Sequence, residues 1–146
     1  MTLQQSMTDL GLKTMSQAHR TILRLSGGRL LDTTFGMQSV ELHTVGRKSG
    51  QPRTTMLTAP VISDDRVVLV ASKGGDDRDP DWYRNLMANP QIELTIAGQR
   101  KPMLARRASA AEKAELWPAI VAAYKGYAGY QRRTDRDIPV VICVPR

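Results

Sequence analysis

Val67-Val68-Leu69-Val70-Ala71 is an unbroken apolar run held between Ser63-Asp64-Asp65 and Ser72-Lys73-Gly74-Gly75. Successive side chains of a strand point to opposite faces, so such a run suits a strand in a central position, not one with a wet face. The spacing predicts a strand over residues 66–72, ending in a loop that carries serine, lysine and two glycines. Ile138 to Val144 repeats the pattern near the C-terminus and reads as a second central strand.

The other strands alternate. Met37 to Val45 places Val40 and Leu42 against Ser39, Glu41 and His43, a half-buried strand. Thr54 to Ile62 follows and pairs with 66–72 across the Ser63-Asp64-Asp65 turn as an antiparallel hairpin. Gln91 to Ala97 and Arg100 to Arg107 form a second hairpin across Gly98-Gln99. Pro102 lacks a ladder donor, which predicts that its strand lies at an edge.

Helical signals are fewer. Met15, Ala18, Ile22 and Leu25 recur at helical spacing over residues 8–26, with Lys13, Arg20 and Arg24 off that line and Gly27-Gly28 as a stop. Such a basic amphipathic helix either packs on the domain or lies on an anionic membrane. Asp79-Pro80 predicts an N-cap and first turn, Trp82, Tyr83, Leu86 and Met87 an apolar face, and Asn89-Pro90 the end. Ser109-Ala110-Ala111-Glu112 matches a capping box, and Pro118 is expected to kink or restart the helix that it opens.

The tally is about six strands and three or four helices with no strand–helix–strand repetition. It predicts a mainly β member of the α+β class, a small split or closed antiparallel barrel with flanking helices. Residues 1–28 are expected to form an N-terminal amphipathic helix and residues 29–146 a single domain.

Charge bounds the partners. The 146 residues carry a net charge of +7. An anionic partner follows: a polyanionic small molecule, an acidic membrane surface or nucleic acid. Aromatic residues make up 5% of the chain and no finger, RNP or basic-zipper pattern is present, which argues against nucleic acid. The single Cys143 sits in an apolar strand and reads as a small buried hydrophobe. One cysteine and no basic-then-apolar start make the reducing cytoplasm the expected compartment.

The densest charge lies in Gly46-Arg47-Lys48-Ser49-Gly50-Gln51-Pro52-Arg53. Three cations and a hydroxyl share eight residues. Glycine permits a tight turn and close approach of a ligand, arginine supplies a planar fork and lysine a point charge. The segment reads as an anion-binding loop or as a solvated basic turn. Tyr124-Lys125-Gly126-Tyr127-Ala128-Gly129-Tyr130 spaces three tyrosines by three. Its glycines weaken a helix, which predicts a mobile segment, either a lid over a ligand or a cap on the core.

Familiar catalytic signatures are missing. The sequence has no HExxH, no Cys/His cluster, no Walker loop and no GxGxxG, so metal and dinucleotide chemistry are not indicated. Two histidines without an evident Ser or Cys partner make a hydrolytic triad improbable. What remains suits a ligand with a phosphate, further negative charge and a flat ring. Arg47, Lys48 and Arg53 would hold anions, Lys73 with Gly74 a second anionic group, and Trp82 and the tyrosines would wall a redox ring.

Three ordered motifs then carry a resemblance. They are Gly46 to Arg53; Ala71-Ser72-Lys73-Gly74-Gly75 with Pro80-Asp81-Trp82-Tyr83-Arg84-Asn85-Leu86 and Asn89-Pro90; and the tyrosine segment with Thr134-Asp135-Arg136-Asp137-Ile138-Pro139-Val140. From about Val40 onward the chain resembles the deazaflavin-dependent nitroreductase family of actinobacterial F420H2-dependent reductases. The resemblance implies a split β-barrel that binds coenzyme F420, a deazaflavin with a phosphate and a polyglutamate tail. It implies Arg47, Lys48, Ser49, Gly50, Gln51, Pro52 and Arg53 at the phosphate and tail. Ala71, Ser72, Lys73 and Gly74 would lie along the cofactor, and Asp81, Trp82, Tyr83, Arg84 and Asn85 at its border. Tyr127 would approach the deazaflavin and Tyr124 and Tyr130 the substrate. The implied reaction is hydride transfer to a quinone, nitroaromatic or enone, with a hydroxyl of Ser72 or a tyrosine steadying the charge that develops. Thr58 stands where the prodrug-activating member has a substrate-facing tyrosine, and Asp81 where it has methionine. The smaller Thr58 weakens the expectation of nitroimidazole reduction. The alternatives are an FMN-dependent reductase of the same architecture and a non-catalytic cofactor or lipid carrier docked on a membrane through its N-terminal helix.

Overall fold

The computed structural model describes Thr33–Thr34 and residues 36–146. The expected helix over residues 8–26 lies outside the described residues. Among these, eight strands form: β1 (Thr33–Thr34), β2 (Met37–Val45), β3 (Pro52–Ala59), β4 (Val61–Ile62), β5 (Val67–Val70), β6 (Gln91–Ile96), β7 (Gln99–Arg107) and β8 (Val140–Pro145). Three helices accompany them: α1 (Asp81–Ala88), α2 (Ala110–Ala123) and α3 (Gly126–Arg133).

All pairings are antiparallel. The sheet runs β1-β2-β6-β7-β8-β5-β4, with β3 paired to β2. β3 also packs against β5, so the sheet curls back on itself as a split barrel. Six strands have four residues or more, as the periodicity predicts.

The apolar run of β5 is explained by two cores. Val67 and Leu69 enter a cluster inside the curled sheet with Val40, Leu42, Leu94 and the Trp82, Tyr83 and Leu86 side chains of α1. Val68 and Val70 enter a second cluster with Leu116 and Ile120 of α2 and Tyr127 of α3. β8 does the same, with Val141 and Cys143 inward and Val140 and Ile142 outward. Both strands are therefore buried on both faces. Cys143 has no exposed surface, and burial pushes its thiol up to about 12.

Several local expectations need correction. The second strand is not continuous over 54–62. Pro60 separates β3 from β4, because proline has no donor for the ladder. β3 pairs with β2 from Gln38↔Ala59 to Val45↔Pro52, and only the two residues of β4 make the hairpin with β5. β7 is not an edge strand, since it lies between β6 and β8. The Pro102 carbonyl accepts from the Arg146 N–H at 3.3 Å. Its missing donor thus falls on the β8 side, just past the last β7–β8 pair, Met103↔Pro145. Pro80, not Asp79, is the N-cap of α1. The Asp79 carboxylate is taken by Arg136 at 3.0 Å instead.

At α2 the capping box forms as expected: Ser109 Oγ accepts from Glu112 N, and Glu112 Oε1 accepts from Ser109 N. α2 is not restarted at Pro118, which lies on its exposed side. The tyrosine segment is not a loose loop. Tyr124 caps the end of α2 and the rest from Gly126 opens α3, with Tyr127 buried in the second core. Burial of the ring outweighs the weak helix propensity of its glycines.

Candidate functional site

The basic segment is the loop joining β2 to β3. Gly46 N donates to Gln51 O and Gly50 N to Gly46 O, both at 2.8 Å, which closes the turn. Gly50 takes a left-handed φ of +69°, which glycine adopts without strain. Ser49 Oγ sits under the turn, accepting from Gln51 N at 3.2 Å and Arg53 Nη2 at 3.1 Å. Arg47 folds back onto α1. Its backbone N and its Nη1 both donate to Asn85 Oδ1, at 3.1 and 2.9 Å, and its Nη2 reaches Asp81 Oδ1 at 3.5 Å. Asn85 is 6% exposed, so this amide is the tie between loop and helix. Lys48 and Gln51 of the loop, and Pro52 and Arg53 at the start of β3, stay exposed.

The second turn follows β5. Ser72 is helical at φ −76°, and Lys73, Gly74 and Gly75 have φ of +46°, +64° and +83°. Three successive left-handed residues, one of them a lysine, are sparsely populated backbone that surrounding structure must hold in place. Gly75 N donates to Ser72 O at 2.9 Å and Asp76 N to Lys73 O at 3.1 Å. Arg136 donates through Nη2 to Ala71 O and Ser72 O, and through Nε to Asp76 O. Arg133 Nη1 donates to Gly74 O at 3.3 Å, and Thr134 Oγ1 to Asp77 Oδ1 at 2.8 Å. A Cβ on Gly75 would come within 3.0 Å of Arg133 and of the Tyr130 carbonyl, whereas one on Gly74 would meet open space. The turn is thus pressed against α3 at Gly75 and open at Gly74.

α3 brings the tyrosines together. The Tyr124 and Tyr127 rings meet edge to face at 5.4 Å, and Tyr127 and Tyr130 at 6.2 Å. Gly126 is required here, since a Cβ would run into the Tyr124 ring. The Tyr127 hydroxyl lies 3.4 Å from Thr58 Oγ1 of β3 and donates to Met37 Sδ of β2 at 3.7 Å. The Tyr124 and Tyr130 hydroxyls are 3.4 Å apart. Burial raises the Tyr127 hydroxyl above its ordinary value, with Thr58 pulling the other way. Tyr130 is raised to about 12, by burial first and then by Tyr124. Both therefore remain neutral donors across the physiological range.

The structure brings Ser72, Lys73 and Gly74 against α3, and Arg47 against the start of α1. Residues 76–80 connect these two groupings. Trp82 and Tyr83 turn their rings into the barrel core, where they are 8% and 6% exposed and meet edge to face at 6.5 Å. Asp81 and Arg84 are exposed on the same helix.

Sequence reasoning gave no site role to Arg136, Thr134 or Met37 and read Asp79 as an N-cap. A signal existed for Thr134 and Arg136, which stand in the Thr134-to-Val140 motif. A separate cleft of about 440 Å³, lined by residues including Glu41, His43, Glu93, Arg100 and Arg146, shares only Pro52 and Arg53 with the basic loop.

Comparison with known proteins bears on the chain as a whole. Residues 15–145 match the model of the F420H2-dependent quinone reductase family. An F420H2-dependent quinone reductase of Mycobacterium tuberculosis strain H37Rv is 40% identical over 132 residues, 88% of each chain. Among solved structures, an F420H2-dependent reductase has a TM-score of 0.65 at 40% identity, covering 72% of this chain and 92% of that one. A structure described as a domain-swapped dimer has a TM-score of 0.66 at 36% identity, covering 85% and 98%. On this family match and these relatives, the chain, an antiparallel split barrel, belongs to the F420H2-dependent quinone reductase family.

Proposed function

We propose that this chain reduces quinones with reduced coenzyme F420, holding the cofactor between the β2–β3 loop, the Ser72–Gly75 turn and α3. The carrying observation is that the left-handed turn leads through residues 76–80 into α1, whose Asp81 and Asn85 hold the basic loop through Arg47. The loop offers exposed cations and the turn a fixed left-handed backbone beside neutral hydroxyls.

The donor set fits the group. A phosphate and a chain of carboxylates need exposed cations, and Lys48 and Arg53 are both exposed, Arg53 giving one of its donors to Ser49 Oγ. Arg47 is already engaged by Asn85 and Asp81, so its part is to hold the loop beside α1. Ser49, Gly50, Gln51 and Pro52 shape the turn that presents Lys48 and Arg53. A flat ring needs backbone that lets it approach closely, and at Gly74 no atom lies within 4 Å of where a side chain would begin. Ala71, Ser72 and Lys73 form the rest of that wall. Asp81 and Arg84 border the site from α1, with Trp82 and Tyr83 anchoring the helix in the core and Asn85 tying it to the loop.

When bound, the reduced deazaflavin supplies the hydride. The chain's own groups bind, orient and stabilise. Negative charge develops on the acceptor oxygen, and preorganised hydroxyl donors steady it at little reorganisation cost. Ser72, Tyr124, Tyr127 and Tyr130 are the donors in reach of this region. The raised Tyr127 and Tyr130 hydroxyls keep their protons and act as hydrogen-bond donors, not as bases. Thr58, with its hydroxyl 3.4 Å from that of Tyr127, stands in place of a substrate-facing tyrosine and speaks against a nitroimidazole acceptor.

Titration with F420 tests the reading, because binding quenches the cofactor's fluorescence. Saturable binding together with F420H2 oxidation that depends on added quinone is the expected result. A chain that binds no F420 and oxidises no F420H2 with any quinone, or that takes up FMN instead, overturns it.

A further inference from the structure

Arg136 lies in the segment between α3 and β8 and reaches back to the turn after β5. Nε donates to Asp76 O at 2.8 Å, Nη1 to Asp79 Oδ1 at 3.0 Å, and Nη2 to Ala71 O at 3.2 Å and Ser72 O at 2.9 Å. One planar guanidinium therefore spans three carbonyls and a carboxylate on both sides of the left-handed turn. No other side chain matches that fork, since lysine presents a point charge without fixed donor directions.

The position of these carbonyls explains the need. β5 pairs with β8 as far as Val70↔Val140. Beyond that pair one more bond crosses, from Ala71 N to Pro139 O at 2.9 Å, and Ala71 and Ser72 are still 0% and 9% exposed. Buried carbonyls without partners are costly. Arg136 gives the Ala71 carbonyl a partner past the end of the ladder and adds a second donor to the Ser72 carbonyl, which already accepts from Gly75 N. Burial lowers its basicity while Asp79, Asp76 and Asp77 push it back up. The guanidinium thus stays charged, and its bonds are of the stronger, charge-assisted kind. Arg133 on Gly74 O and Thr134 on Asp77 brace the same segment from α3.

We propose that Arg136 is a positioning residue of the reductase. It fixes the Ser72 hydroxyl and the Lys73-Gly74-Gly75 backbone in the geometry that receives the cofactor ring, without touching the ring itself. This rests on the placement of the cofactor described above.

The test compares wild type, R136K and R136A of the full chain by two readouts. The first, made without cofactor, is amide hydrogen exchange. Both variants should expose the Gly75 and Asp76 amides to faster exchange while the β5–β8 ladder keeps its protection. The second is F420 affinity by fluorescence quenching. It should fall about tenfold in R136K and about a hundredfold in R136A, the scale of one and two lost charge-assisted hydrogen bonds. Free guanidinium ion at sub-denaturing concentration should restore part of the R136A loss. Turn amides that stay protected in R136K overturn the proposal whatever the wild type binds. Wild-type affinity in folded R136K overturns it as well. If the wild type binds no F420, the cofactor placement fails, and the exchange readout alone decides whether Arg136 holds the turn. If R136A does not fold, R136K carries both readouts.

Discussion

The loop from Gly46 to Arg53 and the turn from Ser72 to Gly75 resemble each other on paper, each combining serine, lysine and glycine at a strand end. Both close on their own backbone, but they are held differently. The first is completed by Ser49 and tied to α1 through Arg47, with Lys48 and Arg53 left exposed. The second is held in addition from about sixty residues away, by Arg133 and Arg136. The first turn can therefore change its charge without disturbing the fold, and the second cannot change its shape without disturbing its neighbours. Affinity for an anion and geometry for a ring are separated along the chain.

A pair of glycine substitutions is the sharpest way to break this contrast. Gly75→Ala meets Arg133 and the Tyr130 carbonyl at 3.0 Å with φ at +83°. Strain and overpacking together should cost about 2–5 kcal/mol of stability in denaturant unfolding. Gly50→Ala, at φ +69° in open space, should cost about 1 kcal/mol, the left-handed penalty alone. Equal losses would mean that the two turns are held alike.

Removing charge sharpens the other side. Lys48→Ala or Arg53→Ala should weaken F420 binding by about 1–3 kcal/mol each. The unfolding midpoint should barely move, as for other exposed positions, within about 0.5 kcal/mol. The affinity of the wild type should fall with added salt more steeply than that of either variant. Unchanged affinity in both would leave the loop a solvated turn.

Smaller effects come from α3. Tyr127→Phe removes the hydroxyl shared with Thr58 and Met37, at a cost of about 1 kcal/mol in stability. Quinone turnover should fall with little change in F420 affinity if that hydroxyl faces the acceptor. The pH dependence follows from the same burial. Tyr127 and Tyr130 are raised above the ordinary value of 10.0, so the unfolded chain loses these protons first. Their contribution to stability is complete below pH 10 and is lost as pH climbs toward 12. Alkaline unfolding of the Tyr127→Phe variant should show a shallower dependence across that window.

What was legible in the sequence follows the range of the interactions involved. The runs in β5 and β8 announce themselves because both faces of each strand are buried, and the capping box at Ser109 is complete within four residues. The basic loop was readable for the same reason, since it is closed locally. Misreadings occur where a distant partner decides. Asp79 looks like an N-cap until Arg136 claims it. Pro102 looks like an edge residue until the end of β8 is placed beside it. The tyrosine segment looks loose until the ring of Tyr127 is buried against Ile120 and Val70. The charge of the candidate site was thus visible in the sequence, whereas the clamp that shapes it was not.

The burial of Cys143 has a chemical consequence. Quinones are electrophiles that add to thiolates, and only the ionised sulfur reacts readily. The sole thiol of this chain lies inside the barrel and is held protonated by burial up to about 12. A catalyst that handles such acceptors, and releases some of them unreduced, is in this way protected from arylation by its own substrates.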